Sequence, residues 1–481
     1  MVAVGSAQAL SQVLSICTLP VLSRYFSPTA FGTYTLFLGV CAVAAVFAGL
    51  RYETAIVLPR SRRTATALSI LVLTIGVLAA ALVLLTAVLG LVFPGLSMVA
   101  AIGVPAAASV CVGTVQRIAV AWLNRQQEYA WFGLVQFSGV LATLVSQFVL
   151  LAHGIAEEQA LVWGSVAGQI GATMLGAVVL LARPQPQPAP PLTASIPRIV
   201  AAAVAYRRFP KYMLMYGLSS TLRDRVVQFT LGAFCGTDVL GKFAMATRIM
   251  GAPNSLIYAA ANPVLLSYAS RVPRDQVAEN GARLVEALAL FLAPIFIFFC
   301  FNAAVLMHLI LGAKWGGVEH YAVLLAAPYF AWSVTAWLDR LFDVYNKQLA
   351  ALQIDIVYTM ALCSVVYALA NPRSPIVAVA GFAVVFVTYE VVWTFLAYRV
   401  TGLETRQLRR PLYAVLLSVP IFLILGYATS SLAGLLERTI AFFICQVVIV
   451  AAYLRFFGGA TTIKELFARP GIAEKGVRAL Q

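Results

Sequence analysis

The chain has 481 residues, of which 62% are hydrophobic and only 11% charged. That composition excludes an ordinary soluble domain and places the chain among polytopic membrane proteins. The formal net charge of +15 would suggest nucleic acid in a soluble protein; here it reports orientation, through the side on which the charges lie, and no nucleic-acid partner is expected.

Apolar runs of roughly the 20 residues needed to cross a bilayer fall at 2–22, 31–50, 67–92, 97–123, 130–152, 159–182, 212–235, 241–269, 284–311, 320–345, 350–370, 375–398, 411–429 and 439–457. They predict an all-α polytopic membrane protein with about 14 transmembrane helices. An even number of crossings puts both termini on one side. Most Lys and Arg residues fall in loops on that side, among them Arg51, Arg60, Arg62 and Arg63, then Arg207, Arg208 and Lys211, and later Arg399, Arg406, Arg409 and Arg410. Both termini are therefore expected in the cytoplasm. The first run follows Met1 directly with no basic segment before it, so no cleaved signal peptide is expected.

The first run carries Gln8, Ser11, Gln12, Ser15 and Thr18 at helical spacing. This polar face serves either hydrogen bonding between helices or the lining of a cavity. Up to residue 182 the only acids are Glu53, Glu128, Glu157 and Glu158, all in predicted loops. Arg117, in the fourth run, is then the only ionised group inside that part of the membrane, and either contacts substrate or snorkels to the inner surface. Gly164, Gly168, Ala172 and Gly176 make a small-residue ridge for close helix approach.

Between the sixth and seventh runs, the sequence Arg-Pro-Gln-Pro-Gln-Pro-Ala-Pro-Pro from Arg183 reads as an extended linker. It divides the chain into an N-terminal lobe (1–182), a cytoplasmic Pro-rich linker (183–211), a C-terminal lobe (212–400) and a last part with two helices and a cytoplasmic tail (401–481). The segments 27–34 and 236–243 echo each other: a polar turn leads to an apolar residue, a glycine and, two residues later, an aromatic. A duplicated hairpin reads this way, and six helices per lobe with a common starting side imply parallel repeats about an axis along the membrane normal.

The seventh run holds Arg223, Asp224 and Arg225 at its middle, about 15–18 Å from either end at ~1.5 Å rise per residue. A charge at that depth needs a partner or a water-filled cavity. At about 100° per residue, Tyr212, Tyr216, Ser219, Ser220 and Arg223 form one polar stripe, with Asp224 and Gln228 at its edge. The eighth run repeats the pattern with Arg248, Ser255, Tyr258 and Asn262. A self-neutralised triplet that fixes packing is the plainer reading. Two arginines exceed one aspartate, however, and Arg248 adds another positive charge, which favours an anion site.

Candidate substrate-binding residues are thus Arg223, Arg225, Arg248, Arg117, Tyr216 and Tyr258, with Gln8, Gln12, Ser15 and Asn262 lining the cavity. In the tenth run Arg340 and Asp343 have helix-pair spacing, so Asp339 and Asp343 serve either a salt bridge or coupling to H+ or Na+, as Asp224 could. Glu390 has no charged residue within a turn and is the better single candidate for carrying a proton. Arginine forks suit a phosphate or pyrophosphate, whereas a cationic drug would be repelled. The seven cysteines and three histidines show no ligand spacing, so no metal is expected and no cofactor beyond a coupling ion. No Walker loop or Ser, His and Asp arrangement can be assembled, which disfavours an enzyme.

Leu19-Pro20-Val21-Leu22-Ser23-Arg24-Tyr25-Phe26-Ser27-Pro28 with Phe31-Gly32-Thr33-Tyr34, then Arg51-Tyr52-Glu53-Thr54-Ala55-Ile56-Val57-Leu58-Pro59, resemble Wzx-type polysaccharide flippases of the multidrug/oligosaccharidyl-lipid/polysaccharide exporter superfamily. Tyr206-Arg207-Arg208-Phe209-Pro210, Gly241-Lys242-Phe243 and Ala246-Thr247-Arg248 continue the likeness. The resemblance covers the first hairpin and the lobe junction; elsewhere only hydropathy matches. It implies a bilobed, V-shaped, alternating-access transporter of the bacterial inner membrane that moves undecaprenyl-pyrophosphate-linked oligosaccharide (O-antigen, capsule or exopolysaccharide repeat unit) to the outer leaflet. Arg223, Arg225 and Arg248, with Arg117, would then hold the pyrophosphate and nearby glycan, and the last two helices would offer the prenyl chain a groove. Membrane lipids, a polysaccharide polymerase and a chain-length regulator are the partners implied. Similar drug antiporters commonly rely on an acid in the first helix, which is missing here. The peptidoglycan-precursor lipid flippase typically has several arginines in its first two helices, where this chain has Arg24 and Arg51 at helix ends. These two assignments are the alternatives; a membrane glycosyltransferase or polymerase is less favoured, because every outer loop is short.

Overall fold

The computed structural model describes residues 13–93, 97–182, 195–269, 272–432 and 434–456. Within the described residues every apolar run falls on a helix: α1 (Val13–Tyr25), α2 (Pro28–Gly49), α3 (Arg62–Gly90), α4 (Ser97–Arg125), α5 (Tyr129–Ala152), α6 (Glu157–Ala182), α7 (Leu214–Cys235), α8 (Thr237–Ala269), α9 (Arg274–Leu311), α10 (Val318–Val344), α11 (Gln348–Leu369), α12 (Pro375–Thr401), α13 (Arg409–Ser430) and α14 (Leu435–Phe456). Ten of the described helices are long and apolar enough to cross a membrane. The chain is an all-α, multi-pass integral membrane protein. α7 is not among the ten because its polar stripe lowers its hydropathy.

Helix ends follow their caps. α2 begins before its apolar run, at Pro28, because the Ser27 side chain accepts from the Ala30 N–H (3.4 Å) and Pro28 sits in the first turn, where its missing N–H costs nothing. α9 starts well before residue 284 and has 38 residues, about 57 Å of rise against a hydrocarbon core of about 30 Å. The helix is therefore longer than the hydrocarbon core it would cross. α10 is interrupted by a tight turn at Ala336–Leu338, directly before Asp339. The linker contains a helix, Ile196–Ala205, that its prolines had argued against. Pro197 falls in the first turn, which tolerates it, and the Ala and Val that follow propagate the helix. Ile199, Ala202 and Ala203 pack it against a core that includes Leu68 and Val72 of α3. Residues 183–194 lie outside the described ones.

The helices α2 to α6 pack among themselves, as do α7 to α12, and the two groups meet mainly where α2 lies against α7 and α8. A continuous core with Phe31 and Phe37 of α2 and Leu240, Phe243 and Met250 of α8 runs through that contact. α13 and α14 pack on the other side of α9 through Phe298, Phe422 and Phe442, and Arg410 pairs with the buried Glu286 at 2.8 Å.

The echoed segments touch each other. Gly32 lies against the Thr237 carbonyl and Gly241 against the Pro28 carbonyl, so close that a Cβ at either glycine would overlap that oxygen. In the alignment of the two segments Pro28 matches Thr237 and Gly32 matches Gly241 at one constant offset, so the contacts are reciprocal. Nearby, the Trp315 indole donates to the Ser23 carbonyl (2.8 Å) and Arg24 to the Leu309 carbonyl (3.2 Å), tying the end of α1 to the α9–α10 junction. At the opposite end of α2, Leu50 and Arg51 adopt left-handed conformations, φ 43° and 63°, and the Arg51 guanidinium packs against Gly217 of α7.

Candidate functional site

A cavity of about 740 Å³ lies between the two groups of helices. Its walls differ in chemistry. The wall from α1, α2, α4, α5 and α6 is neutral among the described residues, with Ser15, Gln116, Gln136, Thr143, Gln147 and Gln169 as its principal polar groups. The wall from α7, α8, α10, α11 and α12 carries every charge: Arg223, Arg225, Arg248, Asp224, Asp339 and Glu390. Tyr329, Trp332, Tyr358, Phe386, Tyr389 and Trp393 line the same wall.

The charges are segregated. Arg225 and Arg248 lie on the side of α2: the Arg225 side chain runs beside Gly39 and donates to Gln228 (2.9 Å), and the Arg248 guanidinium sits 5.6 Å from the centre of the Phe31 ring and 5.8 Å from that of Tyr34. These are cation–π contacts between one group of helices and the other. Neither arginine is paired with a carboxylate among the described residues. Asp339 and Glu390 lie on the side of α10 and α12, where Trp393 donates to Asp339 (2.8 Å) and Thr335 to Glu390 (2.6 Å).

Arg223 stands between these ends and is already engaged. Its guanidinium pairs with Asp355 of α11, whose other oxygen accepts from Ser219 (2.8 Å), and its Nε lies 3.3 Å from Asp224. Three arginines therefore face three lining carboxylates, and Asp355 stands behind them. The surplus of positive charge expected from the α7 and α8 sequences is balanced by acids of α10, α11 and α12.

Of the other expected residues, Ser15 lines the cavity. Arg117 turns to Thr114 (3.0 Å), with its Nε buried and unpartnered. Tyr258 accepts from Arg340 (3.2 Å), which pairs with Asp343 (2.9 Å), and this trio does not line the cavity. Gln8, Gln12 and the side chains of Tyr216 and Asn262 lie outside the described ones. Sequence reasoning missed Asp355 and the glutamine and aromatic walls. The available signal was simple: Asp355 is the only charged residue of its apolar run, and each of the fourth to sixth runs contains glutamine.

Among the described residues no group of three or more His, Cys, Asp or Glu is arranged to hold a metal ion. The family profile described as "Polysaccharide biosynthesis protein" matches residues 21–319. No curated protein matches the chain by sequence. Among solved structures, the chain is similar to the lipid II flippase MurJ in an inward closed conformation, with a TM-score of 0.72 and 12% identity over 95% of this chain and 100% of that one. It is also similar to an inward-facing multidrug resistance MATE family transporter of the MOP superfamily, with a TM-score of 0.58, 13% identity and coverage of 82% and 98%. A MOP superfamily transporter from Pyrococcus furiosus gives 0.50, 12%, 83% and 95%. At these identities the likeness is one of fold.

Proposed function

Because the chain belongs to the polysaccharide biosynthesis protein family and has the fold of MOP superfamily transporters, we propose that it is a flippase for a polyprenyl-pyrophosphate-linked saccharide. In this reading fourteen helices cross the bacterial inner membrane, both termini are cytoplasmic, and two six-helix lobes, 1–182 and 212–400, rock about the cavity while α13 and α14 form an appendage beside which the prenyl chain runs. The reciprocal packing of α2 against α8 supports the lobes, and the uneven distribution of Lys and Arg supports the orientation.

The observation that carries the proposal is the pair Arg225 and Arg248, which line the cavity without carboxylate partners. Arginine forks in a partly dry site fit the oxygens of a pyrophosphate. Arg223 acts as the counter-ion of Asp355 and Asp224, and Arg117 and Tyr258 stand outside the substrate shell in this conformation. Asp339 and Glu390, both at the cavity, are the groups through which H+ or Na+ would couple transport to a gradient.

Two saccharides compete. The family description favours a polysaccharide repeat unit, whereas the shared fold favours the peptidoglycan precursor: it extends over 95% of this chain for the lipid II flippase but over 82% for the MATE transporter. The peptidoglycan precursor has the stronger support. Multidrug export gains from the lining carboxylates, which remove the simple repulsion of a cationic drug, but Arg225 and Arg248 stand in the same cavity without carboxylate partners. The test is translocation in vesicles loaded with lipid II, with undecaprenyl-pyrophosphate oligosaccharide, or with a cationic dye. Transport of either lipid that is lost in Arg248→Ala supports the flippase, and the lipid moved selects the glycan; transport of the dye alone overturns it.

A further inference from the structure

The two unlike walls of the cavity have a use beyond the grip on phosphate. Trp332 and Phe386 lie with ring centres 6.0 Å apart and Trp332 and Tyr329 5.6 Å apart, so that a row of aromatic rings lines the side formed by α10 and α12. The Trp332 indole N–H has no hydrogen-bond partner among the described residues. Across the cavity, Gln147 and Gln169 are held by Leu161 and Ser109. Gln116 and Gln136 have no such partner and keep both their donors and their acceptor for whatever enters.

Resting on the flippase reading above, we infer that these walls form a subsite for neutral sugar rings of the lipid-linked saccharide, separate from the arginines that take the pyrophosphate. A pyranose has faces of C–H groups and a rim of hydroxyls. The negative face of an aromatic ring receives the C–H groups, and a primary amide both donates to and accepts from hydroxyls. Beyond Arg225 and Arg248 neither wall offers an unpaired cation among the described residues, so an acidic sugar finds no further partner. A cationic group meets the unpaired Arg225 and Arg248 in the same cavity. The cavity of about 740 Å³ lies within the roughly 300–1,000 Å³ of pockets that enclose most of a ligand, far more than a pyrophosphate alone would fill.

The experiment uses the full chain in nanodiscs and three probes: farnesyl pyrophosphate bare, carrying one N-acetylglucosamine, or carrying one glucuronic acid. The N-acetylglucosaminyl probe should bind about tenfold more tightly than the bare one, a difference of one aromatic contact and one or two hydrogen bonds. Trp332→Leu and Gln136→Leu should each remove most of that increment and leave the bare probe within about twofold of wild type. If Trp332→Leu fails to fold, Gln116→Leu joins Gln136→Leu as the paired test on the neutral wall. Equal binding of bare and N-acetylglucosaminyl probes overturns the subsite but leaves the flippase reading standing. Preference for the glucuronyl probe, or equal weakening of all three probes by the wall variants, also overturns the subsite. Failure of every probe to bind overturns both.

Discussion

Replacing Asp355 by Asn removes the charge that faces Arg223 while keeping the shape of the side chain. The Asp355 side chain is 5% exposed and that of Arg223 28%, so the pair is largely shielded from water. What remains to Arg223 is Asp224, 64% exposed, a contact of the kind worth about 0–1 kcal/mol. Removing one member of a buried pair costs about 3–5 kcal/mol. Because Arg223 keeps access to the cavity, the lower end, about 3 kcal/mol, is expected for Asp355→Asn. At roughly 2 °C per kcal/mol for large domains, the midpoint of thermal unfolding should fall by about 6 °C. The double variant Asp355→Asn with Arg223→Gln leaves no uncompensated charge and should recover to within about 1 kcal/mol of wild type. The assay is tryptophan fluorescence during heating of the purified protein, beside translocation in vesicles at matched protein levels. An unchanged midpoint in the single variant, or a double variant as unstable as the two singles summed, would refute the pair as a structural element. A stable double variant that no longer transports would return Arg223 to the substrate.

Gly32→Ala and Gly241→Ala should each prop apart the crossing of α2 and α8, at about 1–3 kcal/mol of overpacking; pulsed EPR distances across the Ser27 and Gly236 ends of these helices should lengthen in the resting protein, and unchanged distances with unchanged stability would sink the idea. Arg248→Lys should keep the charge but lose much of the transport, because an ammonium cannot reproduce a planar fork or its stacking on Phe31 and Tyr34; a fully active variant would reduce Arg248 to a point charge. Glu390→Gln should abolish dependence on the ion gradient and leave binding of farnesyl pyrophosphate intact; retained gradient dependence would make Glu390 a packing residue for Thr335. Reporter fusions after Arg198 and after Arg455 should be active only with cytoplasmic reporters, and a periplasmic signal at either would overturn the proposed topology.

The helices were legible because a bilayer demands long apolar runs whatever their neighbours, and charges in mid-run had to face protein or water. Arg223, Arg225 and Arg248 were found this way. Their partners were not. Asp355 sits only a turn and a half into its run, where an acid usually reads as interfacial, so the balance of charge around Arg223 depended on which helix packs beside α7. Glutamines in apolar runs read as adhesive between helices, and only packing distinguishes the held Gln147 from the unpartnered Gln136. The linker helix was hidden by the prolines before it. The echo of 27–34 in 236–243 was legible as repetition, but no periodicity could tell that the two copies lie against each other.

That mutual contact has the symmetry of an interface between two copies of one subunit. In a twofold homodimer, a residue of one subunit touches its partner's counterpart in an exchange that works both ways. Gly32 on Thr237 and Gly241 on Pro28 follow that rule within one chain. Fusion of two copies of a gene whose product pairs with itself would leave such a contact, with the dimer axis running through the crossing. Aligned over eight positions, 27–34 and 236–243 agree in identity at the glycine alone. The other seven positions differ; at the glycine neither segment could gain even a methyl group without pushing the other away.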